Sequence, residues 1–178
     1  YSPEDEDLKD RYAFYTAQSY RDADMPEKAI EWYAKRANLG GWYEEVYYSL
    51  LQIALLKIEL NASLNEIQNL LLATYEYRPQ RAESLYHLAR QLRYHNKARL
   101  AYIYATVAAN IPLSKDILFV DHAVYEWKAK EELAMSANSV GNYQLCHDLC
   151  IELLFNPAVP EPNRKLLLDN LKLAKEHL

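Results

Sequence analysis

Glycine is scarce in this sequence, with three glycines among 178 residues. So few glycines exclude a Gly-rich phosphate loop or a dinucleotide-binding fingerprint, and they disfavour a β-sandwich with its many tight turns. Long apolar runs are also missing, since no stretch approaches the roughly 20 residues that a membrane helix needs. We therefore predict no cofactor in this domain and no membrane insertion.

Basic residues do not predominate. The chain has 20 Lys and Arg and 25 Asp and Glu, which gives a formal net charge of −5 at pH 7. Such a balance gives no global positive field, so we predict no nucleic-acid partner. Cys146 and Cys150 are the two cysteines, four residues apart in a predicted helix, where thiols rarely reach disulfide geometry. They indicate a reducing compartment, and with the acidic N-terminus they predict a cytoplasmic location.

Apolar residues make up 51% of the chain and charged residues 25%, which is enough to bury a sizeable core. We therefore predict one domain over residues 1–178. The sequence begins with tyrosine rather than methionine, so we expect this domain to be excised from a longer chain. The 16 tyrosines favour interfaces, and self-association through them is one expectation.

Amphipathic periodicity and capping residues predict helices along almost the whole chain. Ser2 and Asp24 are expected to begin the first two helices, and Ser63 with Glu66 forms a capping box. A linker is expected over 113–120. The predicted helices are residues 3–23, 26–39, 44–60, 64–78, 83–94, 97–110, 124–140, 143–154 and 163–178.

Paired helices of this sequence resemble the tetratricopeptide repeat, whose period is about 34 residues with small residues where the helices touch. Ala89, Ala101 and Ala105 occupy the small positions of one hairpin, and Cys146 and Cys150 occupy those of the next. Because a single hairpin cannot bury its apolar face alone, neighbours must stack. We predict an all-α, right-handed superhelix of about four degenerate repeats plus a C-terminal capping helix.

A more specific resemblance lies in the stretches 11–23 (RYAFYTAQSYRDA), 36–42 (RANLGGW) and 118–121 (LFVD). Over about residues 11–155 the chain is similar to the C-terminal region of bacterial and viral family 2 glycosyltransferases. The resemblance implies that sugar transfer belongs to an upstream GT-A domain, which uses a nucleotide sugar and a divalent metal, and that this region is an accessory module. Tyr43 and Asp24 depart from the pattern at turns.

Two patterns invite a metal interpretation. Asp22-Ala23-Asp24 has the spacing of a metal-binding Asp-x-Asp, but it falls where one helix ends and the next is capped. Cys146, His147 and Cys150 have zinc-type ligands, yet the cysteines take the small core positions of the repeat. We predict no metal site and no catalytic residue in this chain.

Stacked hairpins usually bind partners in the groove lined by the first helix of each repeat. Aromatic and guanidinium groups there can bind a peptide, a carboxylate or a sugar phosphate. The alternative for several of these residues is packing between repeats or a solvated face. The lysine of chaperone-type carboxylate clamps is replaced by Phe14, Tyr48, Tyr86 and Glu131. The repeat register assigns these residues to the groove: Phe14, Gln18, Arg21, Tyr48, Gln52, Tyr86, Arg90, Arg93, Glu131, Met135 and Asn138.

Two functions remain open at this point. The first is a non-catalytic interaction module, the accessory domain of a glycosyltransferase that builds glycans, holding a protein partner or the upstream catalytic domain. The alternative is a stand-alone adaptor that binds a peptide or protein in its groove. An enzyme in its own right has the least support, because no nucleophile, acid/base pair or metal set is legible.

Overall fold

The computed structural model describes residues 3–178, with side chains from residue 9 onward, and this part of the chain contains helices and no β-strand. A π-helical turn, Val124–Lys128, leads directly into the seventh α-helix. None of the described helices combines the length and hydropathy needed to cross a bilayer. The α-helices are α1 Pro3–Asp22, α2 Pro26–Leu39, α3 Tyr43–Glu59, α4 Leu64–Tyr77, α5 Glu83–Tyr94, α6 Ala98–Asn110, α7 Ala129–Ser139, α8 Tyr143–Leu154 and α9 Glu161–Lys175.

The helix ends follow local chemistry, with two corrections to the sequence prediction. Asp24 does not cap α2: it lies in the left-handed region at φ +56°, and Met25 precedes the helix without a side-chain cap bond. The last helix begins at Glu161, before Pro162 rather than after it, because proline is tolerated in a first helical turn. The Ser63 cap is confirmed, since its hydroxyl accepts the Glu66 N–H at 3.2 Å. The Ser2 cap lies outside the described residues.

The chain divides into two compact units. Unit 1 comprises the residues up to Arg78 together with Lys115–Val120, and unit 2 comprises Pro79–Ser114 and Asp121–Leu178. The predicted linker is therefore split, since most of it belongs to unit 1. We refer to Lys115–Val120 as the strap.

Unit 1 packs the α1–α2 and α3–α4 hairpins around an aromatic core. Ala17 and Ala29 are fully buried where α1 meets α2, and Phe14 and Tyr33 pack edge to face beside them. A buried ion pair fixes the turn into α3, with Arg36 Nε 2.7 Å from Glu45 Oε2. Beside it, Gly41 has φ +75°, a left-handed conformation that favours glycine over residues with a side chain.

Unit 2 packs the α5–α6 and α7–α8 hairpins and α9. The predicted small row is confirmed, because Ala101 and Ala105 of α6 are fully buried. Cys146 and Cys150 are also fully buried, with their sulfurs 4.0 Å apart, and they pack as small apolar residues. The hydrogen bond between these thiols and their burial raise the pKa of Cys150. On α9, Leu167 is completely buried, so this helix covers the last hairpin as a cap.

Candidate functional site

The five groove residues predicted in unit 1 lie on α1 and α3. Arg21 Nη1 donates to the Tyr48 hydroxyl at 2.7 Å and to the Gln52 side-chain oxygen at 3.5 Å. Phe14 and Tyr48 are buried, whereas Gln18 is half-buried one turn away. The structure therefore brings these residues together on one face, and their role in binding a partner stays a prediction.

The strap lies on that same face of unit 1 as a segment that is neither helix nor strand. Its Asp116 carboxylate pairs with the Arg78 guanidinium, with Nε 2.7 Å from Oδ2 and a second contact from Nη2. Glu44 Oε2 accepts the N–H groups of the next two strap residues at 2.8 Å each. The Phe119 ring then lies 4.8 Å from the Tyr48 ring, centre to centre. Carboxylate, backbone N–H and apolar groups of the strap thus each have a defined partner.

The groove residues predicted in unit 2 surround a cavity of about 270 Å³, the unit 2 cavity. Tyr86, Arg90 and Arg93 project from one face of α5, because residues three and four apart share a helix face. Glu131 and Met135 do the same from α7. The lining residues are Tyr86, Arg90, Arg93, Tyr94, Trp127, Lys128, Glu131, Glu132, Met135, Asn163 and Leu166.

Asn138 is the one predicted residue of unit 2 that is not in this lining. Its side-chain amide donates instead to the Asn170 side-chain oxygen of α9, at 3.2 Å. The residue joins α7 to the capping helix, one turn beyond Met135 along α7. Five of the six residues predicted in this unit are therefore brought together around one cavity.

Two of the cations at the cavity are already paired. Arg93 forms a bidentate ion pair with Glu132, with Nε 2.7 Å from Oε1 and Nη2 2.9 Å from Oε2. The Glu132 side chain is 4% exposed. Lys128 Nζ lies 2.8 Å from an Asp121 carboxylate oxygen. Bidentate arginine pairs are among the stronger charge-assisted contacts, so this pair ties α5 to α7.

Arg90 and Glu131 are different, because neither has an opposite charge within 4 Å among residues 9–178. Arg90 Nε donates to the Tyr94 hydroxyl at 2.9 Å, and the Arg90 side chain contributes to the cavity lining. The Glu131 carboxylate accepts from the Asn163 amide at 2.8 Å, and burial raises the pKa of Glu131. One cation and one anion thus have unused bonding capacity, and burial also raises the pKa of their neighbour Tyr86.

Six lining residues escaped the sequence prediction. Tyr94 lies four residues after Arg90, so helical spacing alone would have found it. Trp127 and Lys128 belong to the π-helical turn, where an α-helical register does not apply. Asn163 and Leu166 come from α9, which the sequence identified only as a cap. Glu132 is buried in its pair with Arg93.

The two candidate metal patterns have ordinary partners. The Asp22 carboxylate accepts from Arg21 at 3.0 Å, and His147 Nδ1 lies 2.9 Å from the Asp148 carboxylate. In the part of the chain with described side chains, no group of three or more His, Cys, Asp or Glu residues is arranged to hold a metal ion. That the chain binds no metal or cofactor stays a prediction.

Comparison with known proteins identifies the fold. No protein-family model matches the chain, and no curated protein matches it in sequence. Among solved structures, a Podosopora anserina protein described as a kinesin light chain with nearly identical TPR-like repeats is similar over 94% of this chain and 85% of its own, at 16% identity and TM-score 0.62. A variant of that protein gives 15% identity over 99% of this chain and 89% of its own, with TM-score 0.65.

MamA MSR-1 C2 is similar over 96% of this chain and 97% of its own, at 12% identity and TM-score 0.58. These likenesses cover nearly all of this chain, and the matched proteins include ones built of TPR-like repeats. The all-α, tetratricopeptide-like fold predicted from the sequence is therefore confirmed.

Proposed function

We propose that this chain is a non-catalytic helical-repeat module that binds an extended peptide segment of a protein partner at the unit 2 cavity. The observation that carries the proposal is that Arg90 and Glu131 form no ion pair among residues 9–178, in a lining that also contains aromatic and apolar side chains. Half-buried charges lose solvation, and the neutral partners Tyr94 and Asn163 replace only part of it. A ligand that pairs with both recovers that loss.

The size and charge of the cavity favour a peptide over other ligands. A volume of about 270 Å³ accommodates about one large side chain. Nucleic acid is disfavoured by the net charge of −5 and by the two carboxylates in the lining. An extended peptide supplies a side chain for the cavity and backbone N–H groups for the rim.

Selection from a random peptide library on the immobilised chain tests this function. We expect selected peptides to lose binding with the Arg90→Gln and Glu131→Gln variants and to keep it with Arg99→Gln. Arg99 is the matched control, because it is an exposed arginine of α6 outside the cavity lining. Peptides whose binding is unaffected by changes in the cavity would refute the proposal.

We further propose that the module is the accessory domain of a cytoplasmic glycosyltransferase, as the sequence resemblance over residues 11–155 implies. The free cysteines, Cys146 and Cys150, support the reducing location. A stand-alone adaptor fits the repeat fold equally well. Reading the gene upstream of Tyr1 separates the two. A GT-A domain there would support the accessory module, and its activity is then compared with and without this region. A start codon close to Tyr1 would support the adaptor.

A further inference from the structure

We infer that the unit 2 cavity selects peptides in which a carboxylate side chain is adjacent to apolar residues, with Arg90 binding the carboxylate and Glu131 accepting backbone N–H groups. This inference rests on the proposed function and specifies its ligand. Its source is the strap, which shows how unit 1 holds a non-helical segment through Arg78, α1 and α3. It differs from a terminal-carboxylate clamp, because the acid is a side chain within the segment.

The strap makes three kinds of contact in unit 1. Arg78 forms an ion pair with the Asp116 carboxylate, and Glu44 accepts hydrogen bonds from the next two backbone N–H groups. The Phe119 ring packs against two aromatic rings. Those rings belong to Phe14 and Tyr48, which hold the same position in repeats one and two. The chain therefore binds a Lys-Asp-Ile-Leu-Phe-Val segment by charge, backbone and ring contacts together.

Unit 2 offers the same three chemistries around its cavity. Tyr86 and Glu131 hold, in repeats three and four, the positions that Phe14 and Tyr48 hold in unit 1. Arg90 supplies the guanidinium and Glu131 the carboxylate that lacks a cation, as described above. The arginine and the glutamate occupy different repeat positions in the two units. The two units therefore share the types of side chain but not the exact positions.

The apolar part of the ligand has a defined place as well. Trp127 and Met135 are 8% and 9% exposed, and they offer their remaining surface to the cavity, whereas Leu166 of α9 is 43% exposed at its edge. These three side chains lie in the same lining as Glu131. A peptide whose N–H groups bond to Glu131 therefore places its neighbouring side chains against apolar surface. Burial of that surface supplies non-directional affinity, and the Arg90 pair supplies the selectivity.

Charge complementarity commits the site to an acid rather than a base. With Arg93 and Lys128 already paired, the open cation is Arg90, and its fork matches a carboxylate in two contacts. A basic peptide would instead place a second cation beside three basic side chains of the lining. Glu131 would accept hydrogen bonds from neutral backbone N–H groups of the peptide, as Glu44 of α3 accepts them from the strap.

The test uses fluorescence anisotropy with the full chain and a labelled, end-capped peptide of the strap sequence, residues 115–120. We expect it to bind, and we expect the peptide carrying Asp116→Asn to bind at least about tenfold more weakly, because a charge-assisted hydrogen bond is lost. Arg90→Gln should weaken the acidic peptide by the same factor and leave the Asn peptide unchanged. Arg99→Gln serves as the control, and circular dichroism confirms that each variant is folded.

The outcomes separate the ligand class from the proposed function. Equal binding of the acidic and Asn peptides, with dependence on Arg90 or Glu131, would overturn the carboxylate selectivity and leave peptide binding standing. Additive effects of Asp116→Asn and Arg90→Gln would overturn the assigned pair, since a direct contact requires them to be non-additive. If neither these peptides nor the library peptides bind through the cavity, the proposed function itself is wrong.

Discussion

The buried ion pair between Arg81 and Glu83 gives the sharpest prediction for stability. Arg81 Nε lies 3.1 and 3.0 Å from the two carboxylate oxygens of Glu83, and Nη2 lies 2.7 Å from Oε1. Both side chains are almost completely buried, at 0% and 2% exposed. The carboxylate also accepts the Tyr125 hydroxyl at 2.9 Å and the Asp121 N–H at 3.3 Å. We expect Arg81→Met to leave the Glu83 carboxylate buried without its arginine.

Breaking a buried pair by removing one partner costs about 3–5 kcal/mol. The two neutral donors keep part of the solvation of Glu83, so we expect the lower end, about 3 kcal/mol. The double variant Arg81→Met with Glu83→Leu removes the charge altogether. It leaves the Tyr125 hydroxyl and the Asp121 N–H without this acceptor, but both residues are half-buried and water can replace it, at about 1–2 kcal/mol in total.

Urea unfolding followed by circular dichroism at 222 nm measures the free energy of unfolding of the parent, the single variants and the double variant. We expect the free energy of unfolding of the double variant to exceed that of Arg81→Met by at least about 1 kcal/mol. A double variant that is less stable than Arg81→Met would refute the reasoning, because the loss would then come from packing and not from the unpaired charge. Arg99→Met is the matched surface control, with an expected change within about 0.5 kcal/mol.

Three further predictions concern separate parts of the chain. Burial lowers the pKa of His87 to about 4, whereas its pKa in the unfolded chain is about 6.5. The free energy of unfolding should therefore fall as the pH drops from 6.5 to 4. His87→Gln should flatten that part of the pH profile, and an unchanged slope would contradict the assignment. Asp116→Asn should speed hydrogen exchange of the two strap amides bound to Glu44 by about tenfold, and unchanged rates would show that the ion pair does not hold the strap. Leu167→Ala should cost about 2–5 kcal/mol in urea unfolding, whereas Leu168→Ala, a change at a 54% exposed site, should cost under about 1 kcal/mol, and equal losses would contradict the capping role of α9.

The helices and the repeat pattern were predictable because their signals are local. Helical periodicity and four small residues are enough to predict where paired helices touch from the sequence alone. These residues are Ala101, Ala105, Cys146 and Cys150. The same periodicity placed Tyr86 and its neighbours on one face of α5. Within a helix, the angular position of a side chain follows from counting residues, so no tertiary information is needed.

The strap was not predictable from the sequence for the opposite reason. Asp116 pairs with Arg78 across 38 residues and Phe119 packs on rings more than 70 residues away, and no local pattern marks such contacts. The contribution of Asn163 to the candidate site has the same origin, because it depends on how α9 lies across the last hairpin. Asp24 was misassigned as a cap because aspartate also tolerates the left-handed region.

The order of the chain through the two units has a consequence for synthesis on the ribosome. The α1–α4 region is complete at Arg78, but the strap that belongs to unit 1 emerges only after Pro79–Ser114, the first hairpin of unit 2. A nascent chain stopped at Arg78 would therefore expose Phe14 and Tyr48 without the Phe119 ring. For the same reason, no single cut of the polypeptide yields both units whole, and a fragment ending at Arg78 needs residues 115–120 added in trans to restore this face.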